Sequence, residues 1–144
     1  MALAPVYRRP LIGVSAILLD KDNRILLAER LSSKLKGFYG APGGHLEWMQ
    51  SFRVCAVTEL EEETGVKALI SNCDVIGVDQ GFAPEEDHCW VIVYVSVKKW
   101  DGVPMTIEPD RHGKWKWYPL REIPKNTIPT LKALCYRLAD ELER

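Results

Sequence analysis

The sequence predicts an α/β fold in which a mixed β-sheet is covered by helices on both faces, and three observations carry that prediction. Two β-rich segments open the chain, a helix with recognisable caps follows a glycine-rich loop, and an amphipathic helix closes a second run of strand-like segments. Length agrees with this: 144 residues bury one ordinary hydrophobic core, so a single domain spanning 1–144 is expected.

Residues 11–20 (LIGVSAILLD) and 24–30 (RILLAER) are rich in β-branched and aliphatic side chains, and the polar turn Lys21-Asp22-Asn23 between them predicts two adjacent strands. Residues 32–44 are rich in Gly, Ser and Lys and end in Pro42-Gly43-Gly44, a loop with backbone freedom at its end. Residues 51–64 contain neither Gly nor Pro; Ser51 is placed to cap the first turn and Gly65 to terminate the last, so a helix is expected between them. Residues 66–78 and 89–97 read as strands, the second through the alternation of Val91, Val93, Val95 and Val97, and residues 79–88 read as an exposed loop. Trp115 and Trp117 alternate with Lys114 and Lys116, the pattern of a strand with one aromatic and one solvated face. In residues 130–143, Leu131, Leu134, Leu138 and Leu142 recur at helical spacing.

The helix carries the chemistry. At about 100° per residue, Glu59, Glu62 and Glu63 share one face, while Val54, Val57 and Leu60 cluster on roughly the opposite one. Three carboxylates side by side repel one another unless a countercharge is supplied, and hard oxygen donors on a rigid helix suit Mg²⁺, with Mn²⁺ as the alternative. A Glu-rich helix can equally be a solvated face. What separates the two readings is Pro42-Gly43-Gly44, which lets main chain approach a ligand or a metal closely.

Composition excludes several classes. A formal net charge of -1 provides no general attraction to nucleic acid or anionic membrane, so phosphate must be handled locally. No apolar run reaches the roughly 20 residues of a membrane helix, and residues 1–5 lack the pattern of a secretory signal, so a cytoplasmic protein is expected. Cys55, Cys73, Cys89 and Cys135 are unevenly spaced with no CxxC pair, and read as reduced, mostly buried thiols.

The segment 44–66, GHLEWMQSFRVCAVTELEEETGV, resembles the Nudix box, G-x5-E-x7-R-E-U-x-E-E-x-G-U with U aliphatic. Gly44, Glu59, Leu60, Glu62, Glu63, Gly65 and Val66 match in type and spacing, Ala41-Pro42-Gly43 fits the approach to the box, and the flanking strand order extends the likeness over nearly the whole chain. GHLE at residues 44–47, with Glu108-Pro109 and then Trp115 and Trp117, is similar to small members that cleave nucleoside triphosphates. The resemblance implies an α/β/α sandwich and metal-dependent hydrolysis of a diphosphate bond in a nucleoside di- or triphosphate, an oxidised one included, releasing the monophosphate. It further implies that Glu59 and Glu63 ligate the metal, that Glu62 ligates a further metal or orients water, and that the Gly43 carbonyl completes the coordination; these three glutamates are the expected catalytic residues. A small nucleotide is the expected partner, without nucleic acid or membrane, and a homodimer is left open.

Other side chains keep two readings. His45 and Glu47 adjoin the box and serve either phosphate and metal or the surface; Glu85-Glu86-Asp87 offers a late carboxylate or a solvated run. Phe38, Tyr39, Phe82 and Trp90 stack on a base or fill core, and Arg8, Arg9, Arg30, Lys34 and Lys36 meet phosphate or solvent.

Gln50 stands where the family pattern has its first Glu, and Thr58 where it has Arg. These departures favour a second reading, a nucleotide-binding or regulatory module with little turnover; an RNA cap hydrolase is a third, disfavoured by the lack of a basic track. If the two lost groups form an ion pair that orients the carboxylates, Gln50→Glu with Thr58→Arg should raise kcat/KM by more than the single changes combined, by up to about ten- to a hundredfold. A double-mutant cycle at fixed Mg²⁺ measures the coupling, and a cycle closing to zero removes the pairing.

Overall fold

A computed structural model describes residues 8–144. Residues 1–5, read above as lacking a secretory signal, lie outside the described residues. Strands β1 (Leu11–Ile17), β2 (Arg24–Glu29), β3 (Tyr39–Gly40) and β4 (Gly43–His45) precede helix α1 (Phe52–Thr64). Strands β5 (Cys73–Ala83), β6 (His88–Val97) and β7 (Lys116–Pro119) and helix α2 (Pro129–Leu142) follow.

The strands form two sheets, one ordered β4-β1-β6-β5 and the other β3-β2-β7. The first is mixed, since β1 runs parallel to β6 and antiparallel to β4. The predicted pairing of the first two strands survives only at the tip of their hairpin, where the Asp20 N–H donates to the Arg24 carbonyl at 3.0 Å and Leu19 bridges Ile25. Beyond it each strand has two other neighbours that use its backbone groups, and the chains part into separate sheets.

Alternation along β1, β2 and β6 builds a core on either side. Val14, Ala16, Leu26, Val93, Val95 and Val97 face α1, where they meet Cys55, Ala56 and Leu60. Ile17, Ile25, Leu27 and Tyr94 face α2 and meet Leu131, Leu134, Cys135 and Ala139. Because both faces of these strands are covered, their sequences read as near-continuous apolar runs. The predicted α/β/α layering follows from this division.

The strand expected at Lys114 to Trp117 begins only at Lys116, and two boundaries differ by more. Residues 66–72 form no strand: Val66 is buried, Lys67 bridges Asp101, and a single 3-10 turn at Ile70–Asn72 leads into β5. Residues 79–83, expected in a loop, continue β5 opposite residues 88–92 of β6. Gly81 belongs in that strand because the Trp90 ring crosses it; a Cβ there would lie 2.1 Å from the ring. The turn is confined to Pro84–Glu86.

Helix α1 is capped as predicted. The Ser51 hydroxyl accepts from the Val54 N–H, and Gly65 takes the left-handed conformation with φ 78°, its N–H donating to the Glu61 carbonyl. Its apolar stripe is rotated from the predicted one: Cys55, Ala56 and Leu60 are buried, whereas Val54 is 38% exposed. Leu60→Ala should therefore cost about 2–5 kcal/mol and Val54→Ala less than about 1 kcal/mol in urea unfolding. Equal losses at the two positions would show that the stripe is misassigned.

Candidate functional site

A cleft of about 360 Å³ opens between the two sheets, with Gly13 and Ser15 of β1 and Trp90 and Tyr94 of β6 on one side and Arg30, Gly40 and Ala41 on the other. Glu59, Glu62 and Glu63 enter it from the last two turns of α1, as their spacing predicts, and Gly43 and Gly44 of β4 reach it from β1.

The two glycines are required by space. A Cβ on Gly43 would lie 2.2 Å from the Val14 carbonyl oxygen, and one on Gly44 would lie 2.4 Å from the Glu59 carboxyl carbon. With hydrogen in these places, β4 pairs tightly with β1 while the Glu59 carboxylate rests against main chain. The Gly43 N–H donates to Glu63 Oε1 at 3.4 Å, and Glu63 Oε2, buried, has no hydrogen-bond partner.

Burial, then the neighbouring Glu59, pushes the Glu63 carboxyl up to about 8 against the opposing pull of the Gly43 N–H. Burial, then Glu62 and Glu108, raises Glu59 to about 6. The carboxylates therefore stand in a site short of positive charge. Among the described residues, no three His, Cys, Asp or Glu side chains are drawn together closely enough to enclose an ion as they stand. The donors nonetheless suit a hard divalent cation: they are all oxygens, burial and then mutual repulsion raise two of them, and one buried oxygen is unsatisfied.

Three cleft residues given no separate role by the sequence come from one late segment. Glu108, Arg111 and His112 line the same cleft, and His112 Nε2 lies 3.4 Å from Glu63 Oε2. The Glu108-Pro109 pair was noticeable in sequence, but nothing local showed that the chain returns to α1 here. Arg30 also faces the carboxylates: burial lowers its pKa, Glu63 raises it, and its Nε donates to the Lys34 carbonyl at 2.9 Å.

The remaining candidates separate. His45 and Glu47 line the cleft at its exposed rim, and Gln50 accepts from the Glu47 N–H, closing a turn away from the carboxylates. Trp90 lines the cleft and stacks on His88 at 5.1 Å, while Phe38, Tyr39 and Phe82 do not line it. Glu86 accepts from the Leu35 N–H and Asp87 pairs with Arg8, so the acidic run ties loops together without entering the site. All four cysteines are free thiols, three of them buried. No described helix is long and apolar enough to cross a membrane.

This geometry agrees with comparisons to known proteins. The chain is 38% identical over 93 residues to an ADP-ribose pyrophosphatase of Methanocaldococcus jannaschii, covering 62% of this chain and 52% of that protein, so it matches about half of that relative's length. It is 27% identical over 124 residues to an RNA pyrophosphohydrolase of Pelagibacter ubique, covering 77% of each. Among solved structures, a MutT NUDIX hydrolase from Burkholderia pseudomallei superposes with a TM-score of 0.81 at 25% identity, over 90% of this chain and 98% of that one. A MutT protein from Methanosarcina mazei superposes with a TM-score of 0.80 at 19% identity, over 96% of this chain and 100% of that one. The NUDIX domain model matches residues 9–138, and with the fold shared as well, the chain belongs to the NUDIX domain family.

Proposed function

We propose that this protein hydrolyses a diphosphate bond in a small nucleotide, most simply a nucleoside di- or triphosphate, with Mg²⁺ or Mn²⁺. The observation that carries this reading is the crowding of Glu59 and Glu63 against the Gly43-Gly44 backbone in a cleft, with both carboxyls raised. A purely structural helix face would let such side chains spread into solvent. Glu59, Glu63 and the Gly43 carbonyl would hold the cation, with Glu62 on a further cation or orienting water. When bound, the cation neutralises the diphosphate and makes its attacking water more acidic.

The protein's own groups account for the rest. Arg30 and Arg111 bring positive charge to the cleft that holds the carboxylates and so can hold phosphate oxygens away from them. Trp90, stacked on His88, offers a flat wall for a base, and the buried Tyr94 lines the same cleft. Displacement at phosphorus needs mainly positioning and charge stabilisation, which such a cleft supplies.

A Mg²⁺-dependent panel of nucleoside triphosphates, oxidised purine nucleotides, ADP-ribose and RNA bearing a 5′-triphosphate tests the reading, with products resolved. Turnover of a small nucleotide supports it, turnover of RNA alone replaces its substrate, and binding without turnover favours the regulatory module. Glu63→Gln is expected to lower turnover at least about a hundredfold with the fold intact, since an anionic ligand becomes neutral. An unchanged rate at saturating Mg²⁺ removes Glu63 from the site.

The raised carboxyls also predict a pH dependence. Glu59 and Glu63 ionise at about 6 and about 8 in the fold, above their ordinary value of 4.5, so the folded state retains protons that the unfolded chain has lost. Their contribution to stability is complete below that ordinary value and is lost as pH rises through the two folded values. In EDTA, Tm should fall between pH 5 and pH 8.5, and Glu63→Gln should flatten the decline. A decline of the same slope in the variant would assign it to other groups.

A further inference from the structure

Resting on the metal-site reading above, we propose that His112 is a positioning residue that orients Glu63 toward the bound cation, a task performed by no side chain of the box helix itself. Among the described residues, His112 is the one basic side chain that comes this close to any of Glu59, Glu62 and Glu63: its Nε2 stands 3.4 Å from Glu63 Oε2, an oxygen that has no hydrogen-bond partner. Glu63 Oε1 faces the Gly43 N–H on the other side. The carboxylate is thus approached at one oxygen by main chain and at the other by imidazole, which limits its rotation.

The fold gives His112 little freedom. Its N–H donates to the Glu108 carbonyl at 3.0 Å, the Gly113 N–H donates to the Glu29 carbonyl at 2.9 Å, and the neighbouring Arg111 carbonyl accepts from the Leu31 N–H at 2.9 Å. Segment 108–113 is thereby pinned beside the end of β2, where His112 bridges Arg30. The imidazole packs on Trp115, ring centroids 5.2 Å apart, and its side chain is 12% exposed.

Trp115 closes the arrangement. Its Nε1–H donates at 3.1 Å to the carbonyl oxygen of Glu63, a residue 52 positions earlier in the chain. One late segment therefore holds the Glu63 backbone through Trp115 and places the His112 imidazole beside its carboxylate. Thr58, where the family pattern has Arg, makes no such contact, and Gln50 is engaged with the Glu47 N–H. A neutral imidazole offers one N–H donor, and partners that hydrogen-bond a metal's ligands commonly matter by ten- to a hundredfold in metal affinity or activity.

The experiment measures Mn²⁺ binding by electron paramagnetic resonance without nucleotide, then kcat and KM at saturating Mg²⁺. Wild type is compared with His112→Phe, which keeps a ring against Trp115 and loses the donor, and with His112→Gln, which restores an N–H donor. Thermal melts check folding, and His112→Leu is the second donor-free variant should phenylalanine fail to fold. The expected result is Mn²⁺ binding weakened about tenfold or more and a lower kcat in the donor-free variant, with KM for the nucleotide unchanged and most of the loss recovered in His112→Gln. Wild-type Mn²⁺ affinity in a folded donor-free variant overturns the proposal, as does a glutamine variant as impaired as phenylalanine, which would reduce His112 to packing. Binding lost in Glu63→Gln but kept in His112→Phe overturns this inference alone; a wild type that binds no Mn²⁺ overturns the functional reading with it.

Discussion

The carboxylate of Glu63, turned inward at the end of α1, is the constraint around which the site is arranged. A buried charge without a partner costs several kcal/mol, so the fold must either leave it protonated or supply a cation. Several contacts keep it in place. Leu60 anchors the same helical turn in the core, the Thr64 hydroxyl donates to the Leu60 carbonyl at 2.6 Å and accepts from the Val66 N–H, and Gly65 ends the helix at once. The Met105 N–H adds a bond to the Thr64 carbonyl and Trp115 one to that of Glu63, so the end of the helix is held from outside. A helix end secured in this way can carry an unfavourable charge because fraying is suppressed around it.

The cleft exists because β1 and β2 part after a single hairpin tip. Had they stayed paired, the sheet would be continuous and Arg30 and Trp90 would have no gap to face across. Period-two alternation then assigns the surfaces: Val14 and Ala16 of β1 go to the core under α1, while Gly13 and Ser15 go to the cleft. Small residues at the second pair of positions leave volume there, and the glycines of β4 let the carboxylates approach that volume through main chain. Packing and site geometry are two outcomes of the same register.

What was legible in the sequence was local. The Ser51 and Gly65 caps and the position of the three glutamates on one helical face depend on residues within one short segment, and the structure agrees on each. The glycines at 43 and 44 read locally as an approach to a ligand, whereas the space they leave is required by the Val14 carbonyl of β1 and by Glu59. The division of strands between two sheets was not legible, because apolar runs covered on both faces look alike whichever neighbour they pair with. The end of β5 reads as a loop because glycine at position 81 is a local loop signal, whereas its cause is the Trp90 ring on the neighbouring strand. Helical angle alone places Val54 in the buried stripe; which arc of a helix is buried is set by the sheet beneath it, which no helical periodicity contains.

The late segment acts on Glu63 from a distance in sequence. His112 and Trp115 meet Glu63 across about fifty intervening residues, and no spacing rule relates them. In the sequence, Gln50 and Thr58 look like a loss, since a negative and a positive group disappear together from the box pattern. The structure gives that loss a different meaning. Orienting a carboxylate requires a group at a fixed place, and the fold sets the His112 imidazole 3.4 Å from Glu63 Oε2 from the chain pinned at Glu29 and Leu31 rather than from the helix itself. Position in a motif and physical role are therefore separable: departures from the box speak against function only if nothing else approaches the carboxylates. In this chain an imidazole does approach one of them.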